Sequence, residues 1–366
     1  MKGKTAYYPF LDVVKIVSAV LIVFHHYQQI TGAQFKGINF WMPQSYTYWG
    51  YLVELFFMVS GYLAGSSEPA NEKKSPAVSF LHKWFRLWPP AFIATLCYCL
   101  LSWTYRFLHH AWWKGSALGL KNAITSLLLI QPGVILSNGV SGANNPIWYL
   151  CVLWQCYAAF YLIRWIRQGT DFKINRIWLD ITFFAAGLLI LIVRVELPFF
   201  NTVTARGYTA FFLGAILAKV FSKRYSRILS SCGAIVALAV IAAWYFRIGK
   251  MGSDMFFTWL ILVLIFYPAL LGWGLHHKTI FKVMPDSIIN FFAGVSFEMY
   301  LWHCPLLLFW DLLFDAMGRT PFYSYGSMIL FAVLVEAVSI CVYLKVETPL
   351  HAFWKRTIFS QEKIKL

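Results

Sequence analysis

The chain has 366 residues, 60% of them hydrophobic and 13% charged, and its mean hydropathy is +0.62. Apolar runs extend from end to end and no hydrophilic stretch could hold a second globular domain. This excludes a soluble core on a single anchor and leaves one polytopic membrane domain over residues 1–366. The net charge of +16 would suit a polyanion, but the basic residues sit in short loops between apolar runs, where the positive-inside rule accounts for them without a nucleic-acid partner.

The first apolar run, 13–30, follows Lys2 and Lys4 as a signal peptide would, yet it carries Lys15, His25 and His26, which favours a retained span. Lys15 and His26 stand eleven residues apart, so a helix puts them on nearly one face and about 16 Å apart in depth. A cation and a base would then line one crevice at two levels. His25 points about 100° away and is not expected in the same cavity. The second span, 46–64, places Glu54 mid-span among Val53, Leu55, Phe56 and Phe57. Such a carboxylate needs a partner, either a hydrogen bond from a neighbouring helix or a catalytic histidine that it orients. Ser60-Gly61 permits close backbone approach.

A polar insert from Gly65 to His82 follows. Lys83 and Arg86 share a helical face just before the third span, 90–108, and Pro89-Pro90 is expected to break or kink the chain there. Two cations on the inner side would bind the phosphates of a cytosolic cofactor, or anchor the interface together with Trp84 and Trp88. Run 124–136 is too short to cross and reads as re-entrant or interfacial. After a Gly/Ser/Asn-rich loop from Ser137, the fourth span, 147–166, opens on Trp148 and Tyr149. Spans 177–197, 204–218, 228–246 and 255–275 come next. The ninth, 288–313, carries Glu298, Tyr300 and His303, the last two on one face, and span 327–343 completes the set.

The expected fold is therefore all-α, with about ten transmembrane helices, one short re-entrant or interfacial segment and both termini cytoplasmic. In that topology 21 of the 31 Lys and Arg residues lie inside and nine outside, with Lys15 within the first span. A crossing at 124–136 would invert everything after it and destroy the asymmetry. The seven cysteines are scattered through apolar segments without ligand spacing, and no metal is expected.

Taken in order, these motifs resemble the acyltransferase-3 family of integral membrane acyltransferases. The likeness runs through Asp12, Lys15 and His26; Glu-Leu-Phe-Phe-x-x-Ser-Gly from Glu54 to Gly61; Lys83, Arg86 and Pro89; Trp148-Tyr149-Leu150; Ser-x-x-x-Tyr-Leu-x-His-x-Pro from Ser296 to Pro305; and Val346, Glu347 and Pro349. The resemblance implies a stand-alone form, with no fused hydrolase-like domain, in a bacterial cytoplasmic membrane. An acyl group, most often acetyl, would pass from a cytosolic acyl-CoA to a hydroxyl of an extracytoplasmic or lipid-linked glycan or glycolipid. Lys83 and Arg86, assisted by Lys15, would hold the CoA phosphates, and His26 would be general base. Glu54 would fix its tautomer, while Tyr300 and His303 would donate to the oxyanion. Direct transfer and an acyl-histidine intermediate both remain open, as do His25 against His26 and acetyl against succinyl.

Two departures from the family pattern matter. Lys15 stands where most relatives carry Arg, which keeps the charge and loses the bidentate fork. Leu153 occupies the position, five residues after the Trp, where many sugar-modifying members have Glu. The competing class is a proton- or ion-coupled small-solute transporter that uses the same intramembrane His and Glu residues and shows no acyl-CoA turnover.

Overall fold

A helix occupies each of the apolar runs read as spans, in a computed structural model that describes residues 8–35, 40, 49–67, 75–131, 142–169, 176–221, 226–248, 250, 254–277, 284–320 and 323–357. The second half of the short run, 132–136, the loop at 137–141, the middle of the polar insert and a good part of the loop cations (Lys2 and Lys4 among them) lie outside the described residues. The helices are α1 (Pro9–Thr31), α2 (Leu52–Ser66), α3 (Pro76–His109), the short α4 (Leu120–Leu127), α5 (Ile147–Gly169), α6 (Arg176–Val193), α7 (Thr202–Val220), α8 (Ser226–Tyr245), α9 (Met255–His276), α10 (Asp286–Ala316), α11 (Tyr325–Val342) and α12 (Thr348–Thr357). A two-stranded antiparallel hairpin, β1 (Glu196–Leu197) with β2 (Phe200–Asn201), joins α6 to α7. Six helical stretches are long and apolar enough to cross a membrane on length and composition alone: α1, α3, α5, α9, α10 and the run Tyr325–Trp354. The protein is a helical membrane protein.

Local chemistry sets the ends. Pro9 opens α1 and Gly32, at φ 70°, closes it in the left-handed conformation that glycine tolerates. Asn201 caps α7 by accepting from Val203 N and Thr204 N, and Ser324 caps α11 reciprocally with Ser327. Two helices carry a π-helical turn, Leu262–Phe266 within α9 and Tyr343–Glu347 between α11 and α12.

The expected break at Pro89-Pro90 does not occur. Helix α3 is unbroken through both prolines for 34 residues, about 51 Å along its axis. Both rings are buried, and the indole of Trp88 donates to Leu127 O at 2.9 Å, so side-chain packing holds the stretch where two backbone donors are missing. The helix exceeds the roughly 30 Å hydrocarbon thickness, which lets the turn bearing Lys83 and Arg86 project beyond its apolar half.

Helix α10 is the hub of one half of the bundle and packs against α1, α3 and α11; in the other half α7 lies between α2 and α6, and α8 pairs with α9. The α2–α7 contact is set by glycine. A Cβ on Gly61 would fall 1.8 Å from Phe211 O, and one on Gly214 would fall 2.0 Å from Met58 O. The two backbones touch directly, as the Ser60-Gly61 pair led one to expect.

Candidate active site

A cavity of about 470 Å³ opens between α1, α2, α3, α5, α10 and the π-turn after α11. Lys15, Lys83 and Arg86 all line it, so the three cations expected to hold phosphates meet at one pocket, with Tyr300, Phe56 and Tyr149 also in its wall. Lys15 is paired with Asp12 at 2.8 Å, one turn away on the same helix face. Lys83 Nζ lies over the Tyr157 ring at 5.3 Å, a cation–π contact that positions the ammonium without consuming it in an ion pair. Leu153 lines the same cavity.

His26 does not line this cavity, although its spacing from Lys15 suggested one crevice. It stands beyond Tyr300 in a column of aromatic rings. The His303 and Tyr300 ring centroids are 6.1 Å apart, and the His26 and His303 centroids 4.8 Å. His26 Nδ1 donates to Ile22 O at 3.1 Å and His303 Nδ1 to Met299 O at 3.1 Å, each to the carbonyl one turn earlier. A carbonyl only accepts, so both imidazoles in their neutral form carry the proton on Nδ1 and present a bare lone pair on Nε2. His303 Nε2 is buried with no hydrogen-bond partner among the described residues. His25 donates through Nδ1 to Phe40 O at 2.8 Å, and its ring stands edge-on to that of His26 with centroids 4.9 Å apart. The His26 ring is in contact with that of His303 on α10.

The structure gives three of these side chains partners that the sequence did not indicate. Tyr300 spends its hydroxyl proton on Pro146 O at 2.8 Å, and neutral His303 spends its proton on Met299 O. Both protons are thus engaged with backbone carbonyls, the nearest acceptors open to buried polar groups in an apolar bundle. Glu54 does not orient His26, because Ile22 O does that.

Glu54 lies in the first turn of α2 rather than mid-span, since the helix starts at Leu52 after the turn Trp49–Tyr51. A carboxylate there is favoured by the exposed N–H groups of the helix start. It is fully buried, and its Oε1 accepts from Arg206 Nε of α7 and from Trp259 Nε1 of α9, the latter at 2.9 Å. The Arg206 guanidinium also lies over the Trp148 ring at 4.7 Å. Tyr267 OH donates to Tyr51 O at 2.8 Å and Tyr51 OH to Met255 O at 3.0 Å, which clamps α9 onto the same corner. The result is a buried ion pair that joins α2, α5, α7 and α9 through Oε1, while Oε2 is buried with no hydrogen-bond partner among the described residues.

Sequence reasoning missed Arg206, Trp259, Tyr157 and His351. Arg206 had a usable signal: it is the sole cation within run 204–218, and a buried Glu elsewhere calls for one. Glu347, noted only as part of a motif, lines the cavity, and its carboxyl meets that of Glu298. Among the described residues no group of three or more His, Cys, Asp or Glu side chains could hold a metal ion.

Residues 8–344 match the family described as acyltransferase domain. The O-acetyltransferase OatA of Staphylococcus aureus strains NCTC 8325 / PS 47 and COL is 23% identical over 372 residues, which cover 94% of this chain. The chain spans 57% of the length of those relatives. No solved structure matches it significantly. With a match over nearly its whole length, built on the helices that carry the cavity and the histidine pair, the chain belongs to the integral membrane acyltransferase-3 family.

Proposed function

We propose that the protein transfers an acyl group, acetyl by preference, from a cytosolic acyl-CoA to a hydroxyl of an extracytoplasmic or lipid-linked glycan, with His26 as general base. The observation that carries this reading is the cavity whose wall holds Lys15, Lys83 and Arg86 together with Tyr300, next to the His303–His26 pair. Three cations suit the phosphates of CoA, and a chain-like arm anchored there would extend toward Tyr300. The donor supplies the acyl thioester. His26 Nε2 takes the proton of the acceptor hydroxyl as that oxygen attacks the thioester carbonyl, and returns it to the departing thiolate. His303, with its own Nε2 lone pair beside the His26 ring, is the neighbour able to share that proton. The acetyl preference rests on the relatives named O-acetyltransferase, and the glycan acceptor on the family resemblance.

The loop-charge asymmetry supports ten crossings with both termini cytoplasmic, a topology in which the three-cation pocket would open to the inner side of a bacterial cytoplasmic membrane. The test is CoA release from acetyl-CoA by purified protein in nanodiscs, with an envelope fraction as acceptor. Turnover lost in His26→Ala and kept in His25→Ala is the expected result. Loss in His25→Ala alone moves the base by one residue. Absence of both acetyl-CoA binding and CoA release overturns the reading in favour of the transporter.

A further inference from the structure

Helix α10 has an unmade backbone bond in the turn that carries His303. Pro305 lies inside the helix and has no N–H, so Leu301 O, four residues earlier, is without the donor that an interior helical carbonyl normally has. A side chain from another part of the molecule fills the gap: Asn144 Nδ2 donates to Leu301 O at 3.1 Å. A carbonyl only accepts, so the amide nitrogen must face it, and this fixes the orientation of the group. Asn144 is fully buried and stands in the left-handed conformation at φ 56°, which asparagine tolerates better than most residues. Its Oδ1 is buried with no hydrogen-bond partner among the described residues. A buried amide with one end unanswered is costly, and the donor it brings to Leu301 O offsets that cost.

The contact is reciprocated one residue earlier on α10. Tyr300 OH donates to Pro146 O at 2.8 Å, so two bonds of opposite direction join 144–146 to 300–301. The same segment is pinned from other sides. Ala143 N donates to Ser126 Oγ of α4 at 3.0 Å, and Ile147 N donates to Asn144 O at 2.9 Å, where α5 begins. The turn of α10 held in this way is the one in which His303 Nδ1 donates to Met299 O and the His303 ring meets those of Tyr300 and His26.

We propose that Asn144 is a positioning residue: by answering Leu301 O it fixes the turn 299–305, and with it the place of the His303 ring beside His26. Its effect on rate rests on the acyltransferase reading, and the proposal goes beyond that reading in naming what holds the histidine pair in register. Two substitutions test it together. Asn144→Gly removes the donor and keeps a residue suited to the left-handed backbone. Pro305→Ala returns an N–H to the helix, so that Leu301 O no longer depends on the amide.

Wild type, the two single variants and the double variant are compared in nanodiscs for acetyl-CoA Kd and for the kcat of CoA release with the envelope fraction, expressed per acetyl-CoA-binding site. The expected result is a kcat about tenfold lower in Asn144→Gly at unchanged Kd, and a double variant within about twofold of Pro305→Ala alone. A contact that merely stabilised the bundle would lower the melting temperature and leave kcat per binding site unchanged. Modification of His303 by diethylpyrocarbonate, read by peptide mass spectrometry, follows the same turn without any transfer. It should be slow in wild type, where His303 is buried, faster in Asn144→Gly and slow again in the double variant. An unchanged kcat, unchanged labelling, or a loss that Pro305→Ala does not restore overturns the proposal; the last outcome would make Asn144 act through its Oδ1 instead. Wild-type protein that neither binds acetyl-CoA nor releases CoA overturns the acyltransferase reading, and the labelling of His303 then still decides whether Asn144 sets this turn.

Discussion

Glu54 shows what one buried charge demands. Its Oε1 takes donors from two other helices, so Arg206→Met leaves an uncompensated carboxylate and is expected to cost about 3–5 kcal/mol, read as a fall in melting temperature in detergent. Combining it with Glu54→Gln should recover part of that loss, and a double-mutant cycle measures the coupling. Trp259→Phe removes one donor and is expected to cost about 1–3 kcal/mol. The histidines answer a different question. His303→Ala should depress transfer while leaving acetyl-CoA affinity unchanged, because His303 lies outside the cation-lined cavity; an unchanged rate would remove it from the chemistry. At this scale the sequence made His26, Lys15, Lys83 and Arg86 visible, since an ionisable residue in an apolar run stands out. It could not show what each bonds to. Tautomers and proton commitments come from carbonyls such as Ile22 O, Met299 O and Pro146 O, and every residue has a carbonyl.

Among elements, the α2–α7 crossing carries the sharpest expectation. Gly61→Ala would drive a methyl into Phe211 O, and backbone cannot rotate aside as a side chain does. A loss of about 1–3 kcal/mol or more is expected, seen as lower thermal stability and yield in detergent. Gly119→Ala, where nothing lies within 4 Å, is the control and should be nearly silent. The same crossing places Glu54 beside Arg206, so a substitution seven residues from Glu54 should also weaken that pair. Sequence periodicity located these helices but misjudged two details. Helix α3 continues through Pro89-Pro90, because a proline removes a donor without preventing its neighbours from packing. Glu54 lies in a first turn, because turn geometry at Trp49–Tyr51 sets the start of α2 and hydropathy does not register it.

On the scale of the whole molecule, the bundle holds a cation-lined cavity at one side. Neutralising Lys83 and Arg86 together, as Lys83→Gln and Arg86→Gln, is expected to raise the acetyl-CoA Kd by roughly 10- to 100-fold, the effect of losing one or two charge-assisted contacts. Acetyl-pantetheine, which lacks the nucleotide phosphates, should be insensitive to the same change, and equal sensitivity would place the phosphates elsewhere. Composition and apolar run length were enough to determine a helical membrane protein and the order of its helices, because the bilayer forces backbone groups to pair within each segment and so writes span length into the chain. Loop charge was enough to propose its orientation. Only the tertiary structure decided that Arg206 and Trp259 answer Glu54, that His303 rather than a carboxylate stands against His26, and that three cations from two helices share one cavity. These pairings join residues far apart in the chain, and they depend on which helix faces meet, a choice made by close packing that no local run of sequence encodes.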